Sequence, residues 1–348
     1  MSRHTVGILG GGQLAQMLAL AARPLDVSVV ALDPGGLSCP AASVAEVIAA
    51  SFDDVAALAE LASRCDVVTV ELEAVPVAAL EWLAERIPVR PGSRAVGVAQ
   101  DRLLEKQTLR AIGLATAPFD ADVPEGEPAI VKTRRGGYDG RGQVWTSTAT
   151  ERADACRSLP DPIVEGVVAF DRELSLVAVR GVDGGFAAYP LVENHHRDGI
   201  LRTTVAPAPN VSGEMQCRAE RLAVDLLTHL DYVGVMGIEL FQMGDALLVN
   251  EFAPRVHNTG HWTIEGAHTS QFEQHLRAVL GWPLGSTAAR SPCSMHNIIG
   301  VVGDIAALLA DPSAHVHLYG KEPRPGRKLG HVTYLQHVVP VADTRAQP

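Results

Sequence analysis

The segment at residues 134–143, RRGGYDGRGQ, combines glycine and arginine in a way that suits anion binding. Its four glycines let the backbone fold tightly, because no Cβ atom blocks close approach or positive φ. Arg134, Arg135 and Arg141 supply positive charge for phosphate oxygens, and Lys132 ends the strand-like run before them. The loop is neither a Walker A loop nor a dinucleotide fingerprint. It therefore predicts a phosphate site of another kind, with a Gly-rich surface hairpin as the alternative.

Acidic side chains interrupt an apolar hairpin predicted over residues 234–252. Glu239, Asn250 and Glu251 lie on strands that are otherwise apolar. Burying such acids costs on the order of several kcal/mol unless a cation or a partner compensates. Mg²⁺ takes one or two carboxylates and completes its shell with phosphates and water. The hairpin therefore predicts an ATP site with Mg²⁺ (or Mn²⁺), and an edge strand with solvated acids is the alternative.

The register of this hairpin decides which polar side chains face each other. The pair Gly244-Asp245 is a favoured hairpin turn. A three-residue loop would place Glu239 opposite Glu251, whereas a two-residue loop would place it opposite Asn250. Both registers remain open at this point.

Two further segments carry polar groups suited to a nucleotide or to an active-site wall. Glu165 and Glu173 lie on neighbouring strand-like runs, where one could lie beside adenine and the other accept ribose hydroxyls. Taken singly, each could equally be a solvated strand acid. The segment 250–262, NEFAPRVHNTGHW, is dense in polar groups beside two apolar strands, as is typical of an active-site wall. The chain shows no Ser-His-Asp spacing, HExxH or cysteine-nucleophile motif.

The N-terminal run ILGGGQLA at 8–15 offers a competing nucleotide site. It matches G-x-G-x-x-A, and Asp33 follows about 20 residues on, where NAD-binding folds keep a ribose-binding acid. A nicotinamide dehydrogenase is therefore an alternative. However, Pro34 follows Asp33 at once, and the chain lacks a second set of alternating strands and helices. We interpret residues 10–14 as a phosphate or substrate loop, because helix N-termini attract anions.

The elements that must position these groups fall into two patterns. Apolar runs and amphipathic segments alternate over the first ninety residues, which predicts a parallel sheet with helices on its faces. The predicted strands there are 5–9, 27–32 and 66–71, and the predicted helices are 13–22, 53–64 and 76–87. A helix over 100–112 follows. Strands are then predicted at 129–132, 144–146, 163–168, 173–179, 186–192, 200–206 and 316–319, with helices at 214–230 and 272–280. The expected fold class is α/β followed by α+β.

Composition narrows the class of protein. The 348 residues leave room for two or three domains, and 47% apolar residues indicate a globular chain. A net charge of −11 argues against nucleic acid as a partner. No signal-peptide pattern and no apolar run near 18 residues occur, so we expect no membrane span. Five scattered cysteines suit reduced thiols and a cytoplasmic location. Lysine occurs only at positions 106, 132, 321 and 328, which suggests that it is kept for compact point charges.

Nearly the whole chain resembles the ATP-grasp superfamily, and within it the 5-(carboxyamino)imidazole ribonucleotide synthases of purine biosynthesis. The resemblance rests most strongly on GGYDGRGQ at 136–143 and NEFAPRVHNTGHWT at 250–263. Weaker motifs add to it: GGGQL at 10–14, QDRL at 100–103, FDRELS at 170–175, DGILR at 198–202, YGK at 319–321 and RPGRKLGH at 324–331. It implies a Rossmann-like parallel-sheet domain at 1–96, a linker helix and small lid at 97–172, and a C-terminal ATP-grasp domain at 173–348. It also implies a homodimer.

The resemblance also implies roles for individual residues. Arg255, His257 and Asn258 would bind bicarbonate and the carboxyphosphate made from it. Glu239 and Glu251 would hold magnesium. The residues implied for ATP are Arg102, Lys132, Gly137, Tyr138, Asp139, Gly140, Arg141, Gly142, Gln143, Glu165, Val168, Glu173, His196, Asn250 and Glu251. Those implied for aminoimidazole ribonucleotide are Gln13, Leu14, Tyr138, Asp139, Arg141, Lys321 and Arg327, the last two taking its 5′-phosphate.

The implied reaction is that of an ADP-forming ligase. Bicarbonate attacks the γ-phosphate of ATP, and carboxyphosphate or the CO₂ released from it carboxylates the exocyclic amine of aminoimidazole ribonucleotide. Two departures from the family pattern stand out: ELEA replaces EFEN at 71–74, which weakens a substrate role for Glu73, and only ten residues separate Phe119 from Ile130. A formate-using transformylase of the same superfamily and a catalytically inactive ATP-binding regulator are the remaining alternatives.

Overall fold

The computed structural model describes residues 4–137 and 140–336, and its N-terminal part is a parallel sheet flanked by helices. The strands lie in the order β3-β2-β1-β4, and their apolar sequences are buried as expected for a parallel sheet covered on both faces. The strands are β1 (Thr5–Leu9), β2 (Ser28–Leu32), β3 (Glu46–Ile48) and β4 (Val67–Val70). The helices are α1 (Gln13–Ala22), α2 (Val55–Arg64) and α3 (Val77–Ala84). The predicted α/β pattern of this part is confirmed.

Two helices lead from this domain into a small antiparallel sheet. They are α4 (Ser93–Ala99) and α5 (Arg102–Ala111). Asp101 caps α5, because its carboxylate accepts the backbone N–H groups of Leu103 and Leu104. The small sheet has the order β6-β5-β7. Its elements are β5 (Ala129–Thr133), β6 (Gln143–Thr146), α6 (Ala149–Ser158) and β7 (Pro162–Gly166).

A nine-stranded sheet forms the remainder of the described chain. Its strands run in the order β13-β12-β8-β10-β11-β14-β16-β15, and β9 pairs with β8. The strands are β8 (Arg172–Arg180), β9 (Phe186–Ala188), β10 (Val192–Arg197), β11 (Ile200–Ala206), β12 (Gly234–Met243), β13 (Ala246–Ala253), β14 (Cys293–Ile299), β15 (Ala314–Leu318) and β16 (Lys328–Leu335). The helices are α7 (Gly213–His229), α8 (Thr263–Gly266), α9 (Gln271–Leu280) and α10 (Ile305–Leu309).

The single strand predicted at 186–192 is wrong. The chain forms β9 first and then begins β10 at Val192, with Pro190 between them. Proline has no N–H group to donate to a ladder, so it interrupts the strand. The consequence matters for function, because β10 continues to Arg197 and carries His196 into the large sheet.

Buried groups join the first sheet to the large one. Ile8 and Leu18 share an apolar cluster with Trp262 and Phe272. His275 on α9 adds a polar link: its Nε2 lies 2.7 Å from Thr69 Oγ1, and its Nδ1 accepts the N–H of Val235. Within residues 4–137 and 140–336, no helix is long and apolar enough to cross a membrane.

Candidate active site

The hairpin of β12 and β13 places Glu239 directly opposite Glu251. Its turn has two residues, since Met243 pairs with Ala246, and this alone would have set Glu239 against Asn250. A bulge next to Glu239 inserts one extra residue and shifts the register. The structure therefore combines the turn of one predicted register with the carboxylate pairing of the other.

The two carboxylates repel each other, and Glu239 is the more buried of the two, with 20% of its side chain exposed against 44% for Glu251. Burial, and then the charge of Glu251, raise the pKa of Glu239 to about 7. The nearest imidazole nitrogen, Nε2 of His257, lies 3.5 Å from Oε1 of Glu239. Two hard oxygen donors that are held this close and repel each other fit the chemistry of Mg²⁺. No group of three or more His, Cys, Asp or Glu side chains in the described ranges is arranged to hold a metal.

Arg102 joins this hairpin to the glycine-rich loop. It occupies the first turn of α5, where its Nη1 donates to Glu251 Oε2 at 3.1 Å and its Nη2 donates to the carbonyl of Gly137 at 2.8 Å. Burial opposes its charge, but the surrounding carboxylates, first Glu251 and then Glu105, raise its pKa. A fixed cation therefore lies between the loop and the paired carboxylates.

Lys132 and Glu165 meet across the small sheet. Lys132 Nζ lies 2.9 Å from Glu165 Oε2, and Lys106 from α5 approaches the same oxygen at 3.3 Å. Burial would raise the pKa of Glu165, but the lysines, with Arg102 behind them, hold it below its usual value. Glu165 is therefore a buried, ionised carboxylate.

Glu173 and His196 form a second ion pair on the large sheet. Glu173 is the second residue of β8, and His196 on β10 places its Nδ1 2.5 Å from Oε2 of Glu173. Burial lowers the pKa of His196, but the hydrogen bond and charge of Glu173 outweigh it and raise the pKa. Val168, half-buried, lies in the connection that follows β7.

The glycine-rich loop folds back on the small sheet. Gly140 and Gly142 adopt φ of 75° and 69°, which residues with a Cβ rarely adopt, and the carbonyl of Gly142 accepts the N–H of Thr133 at 2.8 Å. Gln143 opens β6 and pairs with Lys132, while Arg141 is exposed. Tyr138 and Asp139 lie outside the described residues.

Arg134 and Arg135, which were predicted to supply charge for phosphate, are both paired with a buried carboxylate in this structure. Both donate to Asp101, with Arg134 Nη2 2.5 Å and Arg135 Nη2 2.8 Å from its Oδ2. Asp101 is buried, so the two arginines compensate its charge and anchor the loop to the start of α5.

Arg255, His257 and Asn258 follow β13 and have unsatisfied hydrogen-bonding groups. Arg255 Nη2 lies 2.8 Å from Glu73 Oε1, while its Nε has no partner. His257 Nδ1 and both amide atoms of Asn258 are likewise buried without a partner in the described parts of the chain. Burial, and then the charge of Arg255, lower the pKa of His257 well below its usual value, so it is neutral. Buried polar groups normally have partners, so these groups suit a small polar ligand.

Two of the groups predicted for the second substrate, Gln13 and Lys321, meet at the N-terminus of α1. Lys321 Nζ donates to Gln13 Oε1 across the two ends of the chain, and Arg327 donates to the carbonyl of Glu322 at 3.1 Å. Burial lowers the pKa of Lys321 to about 8. Leu14 packs in the apolar core, so a contact with a ligand would have to use its backbone.

The loop at residues 10–14 is less open to phosphate than the sequence indicated. The N–H of Gly11 donates to Asp33 Oδ2 at 2.7 Å, and the N–H of Gly12 donates to Glu71 Oε1 at 2.9 Å. These carboxylates occupy the amides that would have bound an anion. Asp33 also accepts from Gly35, so the acid expected to bind an NAD ribose instead fixes its own loop.

Sequence reasoning missed several charged groups that the fold brings to this site. Burial raises the pKa of Glu71 to about 7 and that of Glu105 to about 8. Lys106 is buried beside Glu165, and the charge of Lys328 lowers the pKa of His257. The rarity of lysine in the sequence could have pointed to Lys106 and Lys328 as site residues, since all four lysines lie at or near the site.

Comparison with known proteins agrees with this arrangement of domains and charges. Residues 3–100 match the ribonucleotide synthetase preATP-grasp domain, residues 116–272 the ATP-grasp domain, and residues 293–345 the phosphoribosylaminoimidazole carboxylase C-terminal domain. The fold and the site together are those of an ATP-grasp protein.

Relatives narrow the class further. The N5-carboxyaminoimidazole ribonucleotide synthase of Brucella melitensis is 46% identical, over 95% of this chain and 96% of its own. The crystal structure of the Thermus thermophilus synthetase has a TM-score of 0.90 and 50% identity, over 95% of this chain and 93% of its own. An Aspergillus clavatus synthase in complex with ADP and 5-aminoimidazole ribonucleotide has a TM-score of 0.86 and 33% identity, over 95% of this chain and 93% of its own. The chain belongs to the N5-carboxyaminoimidazole ribonucleotide synthase family.

Proposed function

We propose that this protein uses ATP and bicarbonate to carboxylate 5-aminoimidazole ribonucleotide, giving the N5-carboxy product, ADP and phosphate. The observation that carries the proposal is a series of neighbouring charged and polar side chains, which we call the cleft. It runs from Lys132 and Glu165 through Arg102 and Glu251 to the unsatisfied polar groups of Asn258. Phosphoryl transfer needs positioning and charge neutralisation rather than a protein nucleophile, and this cleft supplies both.

The nucleotide lies between the small sheet and the large sheet in this proposal. Arg102, Lys132 and the loop 137–143, including Tyr138, Asp139, Gly140, Arg141, Gly142 and Gln143, contact its phosphates. Glu165 and the backbone near Val168 hold adenine, while Glu173 holds the ribose with His196 beside it. The ion pairs described above support this, because they gather cations near the loop and leave a carboxylate on the large sheet for hydroxyl groups.

Glu239 and Glu251 would hold magnesium, with Asn250 beside them at the bulge. When bound, the ion would neutralise charge on the phosphates and relieve the repulsion between the two carboxylates. Arg102 donates to Oε2 of Glu251, so the guanidinium keeps this carboxylate oxygen oriented towards the glycine-rich loop.

Bicarbonate binds to Arg255, His257 and Asn258. The guanidinium supplies charge, and the amide of Asn258 supplies both a donor and an acceptor from atoms that otherwise have no partner in the described chain. A bicarbonate oxygen attacks the γ-phosphorus, the bond to the bridging oxygen breaks, and ADP leaves. The amine of the ribonucleotide then attacks the carboxyl carbon, either of carboxyphosphate itself or of the CO₂ released from it. Phosphate leaves in both cases, and the amine loses a proton.

The ribonucleotide binds between the N-terminus of α1 and the segment at 321–327. Gln13, the backbone of Leu14, Tyr138, Asp139 and Arg141 surround it, and Lys321 and Arg327 take its 5′-phosphate. The contact between Lys321 and Gln13 supports this placement. Closure of the loop over both substrates would exclude water, which hydrolyses carboxyphosphate.

The domain roles and the assembly belong to the same proposal. Residues 1–96 bind the ribonucleotide together with Lys321 and Arg327, residues 97–172 form the linker helix and lid, and the rest of 173–348 binds magnesium and bicarbonate. We further propose a cytoplasmic homodimer, supported by five free cysteines and by exposed apolar side chains such as Val301 and Leu309. Light scattering of the purified protein tests the assembly, and cell fractionation tests the location.

The direct test is ADP release from the purified protein in magnesium buffer, with each of the three substrates omitted in turn. We expect strong ADP release only when ATP, bicarbonate and the ribonucleotide are all present. ADP release that ignores the ribonucleotide would contradict the assigned substrate while leaving an ATP-dependent ligase. A tight NADH complex detected by fluorescence would favour the dehydrogenase alternative instead.

A further inference from the structure

Lys106 is a buried cation whose bonds are fully used. It lies on α5 with 1% of its surface exposed, and it is not among the residues proposed to bind a substrate or the metal. Its Nζ lies 3.3 Å from Glu165 Oε2, 3.2 Å from Thr116 Oγ1 and 3.2 Å from the carbonyl of Asn250. An ammonium group has three donors, so these contacts account for all of them.

Lys132 shares the same carboxylate oxygen but is held less firmly. Its side chain is 14% exposed, and its contact with Glu165 Oε2 at 2.9 Å is the one polar side-chain contact recorded for it across 4–137 and 140–336. Lys132 can therefore turn towards a ligand, whereas Lys106 would have to give up its contacts with Thr116 and Asn250 as well as the one with Glu165.

Two lysines on one buried carboxylate matter once phosphate arrives. If Lys132 were the sole counter-ion of Glu165, a phosphate group and Glu165 would compete for the same ammonium. Whichever of the two anions lost Lys132 would be left as a buried, uncompensated charge. Lys106 removes this conflict, because it neutralises Glu165 whichever way Lys132 points. Burial opposes the charge of Glu165, yet Lys132 and then Lys106 keep its pKa low, in agreement with this reading.

The position of Lys106 also links three parts of the cleft. Glu165 lies on β7 of the small sheet, Asn250 is the bulged residue beside Glu251, and Lys106 itself lies one turn after Arg102. The ammonium therefore holds the proposed nucleotide-binding strand of the small sheet against the proposed metal-binding strand of the large one.

We propose that Lys106 is a positioning residue, the permanent counter-charge of Glu165 that allows Lys132 to bind the phosphates of the nucleotide. This inference rests on the proposed function, since it assumes that Lys132 contacts ATP. It predicts that the defect from losing Lys106 comes from the charge left on Glu165, so that removing this charge as well repairs it.

The test is a double-mutant cycle of Lys106→Met and Glu165→Gln, with ATP affinity measured by calorimetry. Methionine keeps the length and apolar stem of the side chain, and thermal melts show which variants are folded. We expect Lys106→Met to weaken ATP binding on the order of tenfold. The double variant should bind ATP more tightly than Lys106→Met alone, because it no longer buries an uncompensated carboxylate while glutamine keeps an acceptor oxygen for adenine.

Two results would overturn the inference. Lys106→Met could bind ATP as well as the wild type, or the double variant could bind it no better than the single variant, in which case Lys106 only fills space. Lys132→Met is the comparison variant: it should lose ATP affinity even when combined with Glu165→Gln, because its contact with phosphate is direct. A wild-type protein that binds no ATP would instead overturn the proposed function, and this inference with it.

Discussion

Replacing Glu73 with glutamine tests how the bicarbonate site is held together. The sequence left Glu73 in doubt, because ELEA replaces the pattern usual in the family. The structure gives it a partner: its Oε1 lies 2.8 Å from Nη2 of Arg255, whose side chain is 19% exposed. Glu73→Gln keeps the shape of the side chain and removes its charge, so Arg255 would lose both its counter-ion and its fixed orientation.

The size of the effect follows from this contact. A hydrogen bond between charged groups contributes about 1.5–3 kcal/mol, more than a neutral one. If the disorientation of Arg255 costs about 2 kcal/mol of the free energy of bicarbonate binding, the affinity for bicarbonate falls roughly 30-fold. We expect the KM for bicarbonate to rise by about this factor while the KM for ATP changes little, since Glu73 has no recorded contact with Arg102 or Lys132 in the described chain.

The assay is ADP release in CO₂-depleted buffer with bicarbonate as the varied substrate. The control is Glu85→Gln, which removes an exposed carboxylate 3.0 Å from Arg86 and should leave all kinetic constants unchanged. An unaltered KM for bicarbonate in a folded Glu73→Gln protein would refute the reasoning, and so would an equal loss of ATP affinity.

Three further predictions concern the metal site, the packing behind it and the link between the sheets. Glu251→Gln should abolish magnesium-dependent ADP formation, and near-normal turnover in a magnesium titration would remove Glu251 from the metal site. A Cβ on residue 237 would lie 2.5 Å from the Cβ of His257, so Gly237→Ala should displace the imidazole and lower kcat by about tenfold or more; an unchanged kcat would show that His257 need not be placed accurately. Burial lowers the pKa of His275 to about 4, so the folded protein binds fewer protons than the unfolded chain between pH 4 and 6.5. The contribution of His275 to the free energy of unfolding should be complete above pH 6.5 and fall by about 3 kcal/mol as the pH drops to 4. Denaturant unfolding should show that the free energy of unfolding of His275→Gln depends less on pH over this range.

The local patterns of the chain were sufficient to predict most of the fold. The apolar runs of β1 and β4 and the amphipathic α1 and α2 follow directly from their sequences, because periodicity reports burial. The predicted strand at 186–192 failed because Pro190 ends one strand before β10 begins. Strands β14 and β16 were missed, since short runs with histidine and glycine between apolar residues give a weak alternating signal.

The site was predictable as a set of residue types, but its partners were not. The acids of the hairpin could be found, yet their register depended on a bulge at Asn250, and a one-residue bulge leaves no mark in the pattern. Arg134 and Arg135 were assigned to phosphate because charge is visible in a sequence, whereas their partner Asp101 lies more than 30 residues away. The pairing of Glu73 with Arg255 is of the same long-range kind.

The central claim is that the cleft transfers a phosphoryl group from ATP to bicarbonate before carbon is transferred to the amine. The measurement that tests it most directly uses bicarbonate labelled with ¹⁸O, in a short reaction free of carbonic anhydrase, with the phosphate product analysed by mass spectrometry. The account predicts one bicarbonate-derived ¹⁸O atom in each phosphate released. Phosphate without this label, formed at the same rate as ADP, would mean that water or another group attacks the γ-phosphorus and would contradict the account.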